Sequence, residues 1–190
     1  CIHRIPREES IVRPRSHCPH CGRLIVWYDN IPLLSWTLLR ARCRHCKGPI
    51  SPRYVLVELL TAFLFVAVFE VHGLTAATPV YLLAVFGLVL GSFVDFEHLI
   101  IPDRVTIGGM ILGPVLSLLI PQIHGVAGRG TALLHSLAGL VAGYGFLWIV
   151  AAAGRRVFKK EAMGYGDVKL LGAVGAWLGA ASIPFVVMIS

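Results

Sequence analysis

Long apolar runs alternate with short polar segments from residue 54 onward, and this alternation restricts the fold more than any other feature. A helix needs roughly 17–25 apolar residues to cross a bilayer. Four runs have about this length or slightly less: 54–71, 80–94, 105–120 and 131–153. A shorter Gly-rich run, 168–179, and a run that begins at Ile183 follow. With 56% hydrophobic and 14% charged residues, the chain is too apolar for an ordinary soluble domain. The sequence therefore predicts an all-α polytopic membrane helix bundle.

Basic residues are confined to alternate polar segments. Sixteen of the seventeen Lys and Arg lie in three segments, 1–53, 95–104 and 154–169, and the intervening polar segments hold only Arg129. Cytoplasmic loops of membrane proteins are enriched in Lys and Arg. Threading the runs alternately through a bilayer then places the three basic segments in the cytoplasm. The net charge of +7 is explained by this topology, and no stripe of aromatic and basic residues supports a nucleic-acid partner.

Residues 1–53 are polar and contain two CxxC pairs, formed by Cys18, Cys21, Cys43 and Cys46. Two such pairs can supply four thiolates to a tetrahedral structural Zn²⁺ site. Disulfides are rare in the cytoplasm, and a domain of about fifty residues builds little core without a staple. A redox pair or unligated thiols are the alternatives, and the neighbouring His17, His20 and His45 could replace a cysteine ligand. We predict a small cytoplasmic zinc-ribbon-like domain at 1–53 and a membrane domain at 54–190.

Two aspartates lie where apolar runs meet the predicted cytoplasmic side. Asp95 directly follows the run 80–94, and Asp167 ends the tetrapeptide Gly164-Tyr165-Gly166-Asp167. A carboxylate at the edge of the hydrocarbon is costly and marks a candidate functional site. Gly164 and Gly166 would let the backbone approach a substrate strand or an opposite helix closely.

These polar residues also have structural explanations. Asp95 could reach headgroup water as a boundary residue, and both Asp103 and Asp167 precede apolar runs as helix N-caps do. Glu97 and His98 could bind a metal, but solvation in a loop explains them as well.

Glycines recur at helical spacings within the apolar runs, and small residues let membrane helices approach closely. We therefore predict packing roles for Gly108, Gly109, Gly113, Gly139, Gly143, Gly145, Gly172, Gly175 and Gly179. No internal repeat stands out in the sequence.

The motifs together resemble the type IV prepilin peptidases, the leader peptidases of pilus and type II secretion systems. The matching stretches run in order along nearly the whole chain: Arg4-Ile-Pro-Arg7, Ser10 to Cys21, Asp29-Asn-Ile-Pro-Leu-Leu-Ser-Trp36, the second CxxC pair, Asp95 to Asp103, and Gly164 to Gly172. Members of this family begin with an apolar helix ahead of the position of Cys1 and continue beyond that of Ser190. We therefore expect the sequence to be part of a longer chain.

The resemblance implies an aspartic peptidase of the bacterial inner membrane, with Asp95 and Asp167 as its paired catalytic residues and its active site on the cytoplasmic side. Such enzymes remove a short basic leader from prepilins and pseudopilins after a Gly. Many members then methylate the new N-terminus with S-adenosylmethionine. No Rossmann-type glycine fingerprint is present, so no residues are predicted for methylation. The family's cysteine loop corresponds to 18–46.

Hydrolysis of an amide by two carboxyl groups requires one that is ionised and one that is protonated. No metal is needed for this chemistry, which indicates that the zinc is structural. A proton-coupled transporter is the main alternative, because intramembrane carboxylates also mark ion paths. However, the polar segments 72–79 and 121–130 contain no carboxylate. A zinc-stabilised structural membrane module is the third interpretation.

Overall fold

The structure, a computed structural model, describes residues 16–18, 20–159 and 163–189, and within them the chain is helical without β-strands. The α-helices are α1 (Pro32–Leu38), α2 (Pro52–His72), α3 (Thr78–His98), α4 (Asp103–Leu119), α5 (Arg129–Phe158), α6 (Tyr165–Leu178) and α7 (Ile183–Ile189). Short 3-10 turns occupy Trp27–Asn30, Pro121–His124 and Ala180–Ser182. The chain divides into two compact units, Cys1–Ala67 and Val68–Ser190, with the division inside α2.

Each predicted apolar run forms a helix. Three segments are long and apolar enough to cross a membrane: Pro52–His72, Thr78–His98 and Arg129–Val157. Two of the other three runs form α4 and α6, with 17 and 14 residues, which is shorter than the roughly 20 residues of an ordinary span. The run from Ile183 forms α7. The all-α prediction is therefore confirmed for the described residues, and three membrane-capable helices are present.

Helix α2 is mostly apolar, with Arg53, Glu58 and Glu70 as its charged residues, and it buries none of its residues. Such a helix does not suit water, because an amphipathic surface helix would keep one polar face. Its surface matches that of a helix surrounded by lipid.

Helix α6 packs against both α4 and α5, and small residues bring the backbones together. A Cβ atom added to Gly139 of α5 would overlap the carbonyl oxygen of Gly175 of α6, and the reverse substitution would overlap the Gly139 carbonyl. On α4, a Cβ at Gly113 would lie 2.8 Å from Cβ of Ala176. The predicted packing role is therefore confirmed at these three glycines.

The same prediction is wrong for Gly108 and Gly145, where an added Cβ would meet no atom within 4 Å. Gly179 has a different role again, because its φ of +81° places it in a backbone region that favours glycine, just after α6.

Two hydrogen bonds, one buried and one partly buried, join α6 to its neighbours. The Ser136 hydroxyl of α5 donates to the Ala176 carbonyl at 2.6 Å, and the indole N–H of Trp177 donates to the Gly109 carbonyl of α4 at 2.8 Å. Both bonds pair polar groups within an apolar bundle, where an unpaired polar group would be costly. Helix α6 is thus held on two sides.

Candidate active site and metal centre

Asp95 lies in the last turn of α3 and is half-buried. Its backbone carbonyl accepts the N–H of Leu99 at 2.7 Å, and Leu99 adopts a left-handed conformation with φ 53°. This arrangement ends the helix. The chain therefore turns away one helical turn after Asp95 and runs directly into α4.

Asp167 lies in the first turn of α6, as its third residue. The N-cap is Gly164, which has extended backbone angles and no side-chain cap, so the prediction that Asp167 could be the N-cap is wrong. The Asp167 backbone N–H donates to the Gly164 carbonyl at 3.3 Å. A Cβ at Gly164 would stand 3.2 Å from a carboxylate oxygen of Asp167, so the glycine leaves room for the carboxylate beside the helix start.

The two carboxyl groups come from helices distant in sequence. Burial, and after it the negative charge of Asp95, raises the pKa of the Asp167 carboxyl above its usual range. Two carboxylates that interact in this way do not both ionise as easily as isolated ones. Their protons must be treated as belonging to the pair. This arrangement can supply one acid and one base to a single reaction.

A second set of contacts surrounds the pair. A Cβ at Gly166 would lie 3.2 Å from Cβ of Ile101, in the segment between α3 and α4. The ammonium group of Lys169 donates to a carboxylate oxygen of Asp103 at 2.7 Å. The N-cap prediction for Asp103 is wrong, because Pro102 is the N-cap of α4 and Asp103 is the first helical residue. Its side chain is directed to the cation on α6.

Tyr165 is held on both sides within the same region. Its hydroxyl is hydrogen-bonded to that of Tyr144 at 2.6 Å, and the Lys169 ammonium lies 5.5 Å from its ring centroid. Sequence reasoning did not single out Lys169 or Tyr144. The spacing of four residues between Tyr165 and Lys169 on one helix was a usable signal, whereas nothing in the sequence pointed to Tyr144.

Glu97 and His98 lie in the last turn of α3 rather than in a loop, with their side chains 4.0 Å apart. They do not belong to a metal-binding group. Among the described residues, the only group of three or more His, Cys, Asp or Glu with suitable geometry is the cysteine cluster.

The predicted cysteine cluster is assembled in the structure. The four thiol sulfurs of Cys18, Cys21, Cys43 and Cys46 lie within 4.8 Å of one another, and all four cysteines are free. The sulfurs of Cys18 and Cys46 are 3.8 Å apart. Tetrahedral zinc with Zn–S bonds of about 2.3 Å separates its sulfurs by a similar distance, roughly 3.8 Å. The donor set therefore fits a metal ion of this type.

The two CxxC turns have the same backbone conformation. In each turn the carbonyl of the first cysteine accepts the N–H of the residue four positions later, at 2.9 Å in the first turn and 3.0 Å in the second. The N–H of the first cysteine donates to the carbonyl of the residue five positions later, at 2.9 Å in the first turn and 2.8 Å in the second. The residue four positions after the first cysteine, Gly22 or Lys47, is left-handed with φ +67° or 58°. The structure thus contains two copies of one knuckle, and both have the sequence Cys-x-His-Cys.

The thiols differ in their readiness to ionise. Backbone N–H groups of Cys46 and His45 lower the pKa of the Cys43 thiol to about 6. Although a backbone N–H of Gly48 lowers the pKa of Cys46, burial and the neighbouring thiols outweigh it and raise that pKa to about 11. A bound divalent cation would favour the thiolate form at all four positions.

An ion pair braces the second knuckle. The guanidinium group of Arg44 donates to both carboxylate oxygens of Asp29, at 2.8 and 2.6 Å, and lies 5.5 Å from the ring centroid of Tyr28. Hydrogen bonding to Arg44 holds the pKa of Asp29 below its usual range. The Trp27–Asn30 turn is thereby fixed to the knuckle that contributes Cys43 and Cys46.

Several curated relatives match most of this chain. A "Prepilin leader peptidase/N-methyltransferase" of Myxococcus xanthus is 43% identical over 93% of the chain and 50% of its own length. A protein of the same name from Aeromonas hydrophila is 44% identical over 95% of the chain and 60% of its own length. An Escherichia coli "Type 4 prepilin-like proteins leader peptide-processing enzyme" is 38% identical over 95% of the chain and 65% of its own length. The chain thus spans half to two thirds of these relatives. No solved structure matches it significantly.

Two family descriptions match the sequence in succession. Residues 1–71 match "Bacterial Peptidase A24 N-terminal domain", which includes the cysteine cluster. Residues 81–190 match "Type IV leader peptidase family", which includes both aspartates. This second match covers more than half of the chain. The chain therefore belongs to the type IV leader peptidase family.

Proposed function

We propose that the protein containing this chain is a membrane-embedded aspartic endopeptidase that removes the basic leader from type IV prepilins and pseudopilins. The observation that carries the proposal is geometric: Asp95 and Asp167 lie at the ends of separate helices, and the chain segments beside them meet through the Ile101–Gly166 contact and the Asp103–Lys169 ion pair. The names of the relatives, prepilin leader peptidases among them, support the substrate class.

In the proposed mechanism the two carboxyl groups share one proton. The ionised member takes a proton from a water molecule, which attacks the scissile carbonyl carbon. The protonated member donates to the carbonyl oxygen as the tetrahedral centre forms. Proximity itself separates the two proton affinities, because ionising one carboxyl makes ionising the other harder.

The position of the pair suits a substrate with a polar leader and an apolar segment. Asp95 ends one of the membrane-capable helices, and Asp167 begins the apolar helix α6. A peptide bond between a leader in water and a segment in lipid would lie at this depth. The distribution of basic residues supports the cytoplasmic face of the bacterial inner membrane as the location.

N-methylation of the new N-terminus, with S-adenosylmethionine as the donor, is proposed as a second activity because the relatives' names include it. The described residues do not form a Rossmann-type site, since they contain no strand that leads into a glycine-rich loop. No residue or chemical step is therefore assigned to this cofactor.

Mass spectrometry tests both activities at once. We expect the full-length protein in detergent to cleave a prepilin once, directly after the last residue of its leader. The mass of the prepilin should then fall by the mass of the leader. Methylation would add the mass difference between a methyl group and a hydrogen, and only when S-adenosylmethionine is present. A prepilin that stays intact with well-folded enzyme would refute the peptidase proposal.

We further propose that residues 1–53 form a zinc-ribbon-like domain and that 54–190 form the membrane peptidase domain. In the first, Cys18, Cys21, Cys43 and Cys46 would bind one Zn²⁺, whose role is structural. The distances among the four sulfurs and the matched knuckles support this assignment. Zinc supplies folding free energy to small domains of this kind.

Replacing Cys43 by Ser should lower zinc affinity by more than roughly 100-fold. Losing only a residue that hydrogen-bonds to a metal ligand already lowers affinity by up to about 100-fold, and this substitution removes a ligand itself. Because the metal is structural in this proposal, abundance should fall more than turnover per folded molecule. Metal content, abundance and cleavage would be measured together, with Cys1→Ser as the control outside both CxxC pairs. Full abundance and full zinc content without activity would instead assign the thiol to catalysis.

A further inference from the structure

The segments that carry Asp95 and Asp167 are joined at two further points. The first is the contact between Ile101, which is only 8% exposed, and Gly166, where an added Cβ would lie 3.2 Å from Cβ of Ile101. The second is the ion pair between Asp103 and Lys169, with 2.7 Å between nitrogen and oxygen. Both contacts connect the stretch after α3 to the first turns of α6.

The placement of these contacts along the chain ties them to the carboxyl pair. Ile101 and Asp103 follow Asp95 across the sharp turn at Leu99. Gly166 and Lys169 flank Asp167 on α6. A shift of one segment along the other would therefore change the separation of the two carboxyl groups and strain both contacts.

Lys169 is well placed to hold the segment after α3 and the start of α6 in a fixed position relative to each other. Its side chain is 23% exposed, and its ammonium group lies 5.5 Å from the ring centroid of Tyr165, one turn earlier on α6. The Tyr165 hydroxyl is fixed in turn by Tyr144 of α5. The lysine thus contacts Asp103 from a position beside the Tyr165 ring.

We propose that Asp103 and Lys169 are positioning residues whose ion pair, together with the Ile101–Gly166 contact, sets the separation between the two catalytic aspartates. This proposal rests on the proposed peptidase function and assigns it two residues beyond the pair itself. Asp103 is 63% exposed, and exposed ion pairs add little to folding stability. Loss of the pair should therefore leave the protein folded while changing the geometry of the carboxyl groups.

The direct test compares Asp103→Asn and Lys169→Met with wild type in prepilin cleavage by the full-length enzyme. We expect kcat per folded molecule to fall by about 5-fold in each variant, which is about the largest change in the population of the productive geometry that the loss of an exposed ion pair can cause. KM should change little, because neither residue is assigned to substrate binding. Lys169→Arg preserves the charge and the reach to Asp103, so it should retain most of the wild-type kcat. The double variant Asp103→Lys with Lys169→Asp should recover most of the kcat that the single variants lose.

The pH dependence of kcat/KM separates positioning from general damage. A carboxyl pair that shares one proton has two apparent pKa values, and their separation falls as the two groups move apart. Asp103→Asn and Lys169→Met should therefore bring the two limbs of the pH profile closer together. Arg104→Gln is the control: it removes an exposed charge on α4 next to Asp103, outside the Asp103–Lys169 pair, and should leave the profile unchanged.

Wild-type kcat and an unchanged pH profile in both single variants would overturn the positioning proposal. The proposal would also be overturned if Lys169→Arg and the double variant Asp103→Lys with Lys169→Asp lost as much kcat as the single variants Asp103→Asn and Lys169→Met. Failure of the peptidase proposal has a different signature, because then Asp95→Asn or Asp167→Asn would itself leave cleavage intact.

Discussion

Replacing either Asp95 or Asp167 by Asn is expected to lower kcat for leader removal by about 10³-fold or more. Asn has nearly the same shape as Asp but can neither accept the proton of the attacking water nor donate one as a carboxylic acid. General acid and general base catalysis each contribute about 10²–10⁴-fold. Loss of one member also removes the charge that sets the proton affinity of the other, so the surviving carboxyl cannot take over both roles.

The measurement is cleavage of a prepilin by the full-length variants in detergent, normalised to folded enzyme. Glu97→Gln is a suitable control, because it neutralises an acid in the same last turn of α3 as Asp95. It should cleave like wild type. Substantial cleavage by Asp95→Asn or by Asp167→Asn would show that the carboxyl pair is not the catalytic centre.

Gly139→Ala is expected to produce the largest loss of stability in the helical unit. The added Cβ would overlap the carbonyl oxygen of Gly175, and a backbone atom cannot rotate out of the way as a side chain can. The helices would have to separate, at a cost of about 3 kcal/mol or more on the scale of overpacked cores. The higher helix propensity of Ala offsets only about 1 kcal/mol of this.

Gly145→Ala provides the matched comparison on the same helix. A Cβ there would meet no atom within 4 Å, so the substitution should leave stability unchanged or raise it by up to about 1 kcal/mol. Thermal unfolding of both variants in detergent measures the difference. Equal unfolding temperatures would mean that α5 and α6 do not cross as closely as the structure indicates.

Helix positions were predictable because the requirement for them is local. A chain cannot leave backbone polar groups unpaired in hydrocarbon, so each apolar run had to form a helix. The run 105–120 corresponds to Asp103–Leu119, and 80–94 corresponds to Thr78–His98 with an extra turn that includes Asp95. That extra turn explains why Asp95 lies on a helix rather than in a loop.

Contacts between helices were harder to predict from the sequence, because they depend on how two helices are rotated and shifted relative to each other. Glycine spacing identified Gly139 and Gly175 but could not distinguish them from Gly145, which also lies in an apolar run but faces no neighbour. The Asp103–Lys169 ion pair joins residues far apart in sequence. A local N-capping rule explained Asp103 in isolation, but Pro102 is the N-cap of α4, and the Asp103 side chain pairs with a cation on another helix.

The cysteine cluster has one feature that the sequence predicted and one that it did not. Spacing alone predicted which four thiols meet, since two CxxC pairs present their sulfurs in a restricted geometry. It did not reveal that both turns share one backbone conformation, because Gly22 and Lys47 occupy equivalent left-handed positions with unrelated side chains. The two turns share the pattern Cys-x-His-Cys and one backbone conformation, although the left-handed residue after each pattern differs.

Infrared titration of the protonated-carboxyl band in the full-length protein bears most directly on a proton shared between Asp95 and Asp167. Difference spectra between wild type and each Asn variant isolate the pair from the other acids. The wild-type pair should titrate in two separated steps, and each variant should show one step at a pH between them. A carboxyl group that titrates at the same pH with and without its partner would contradict the shared proton, and with it the catalytic pair.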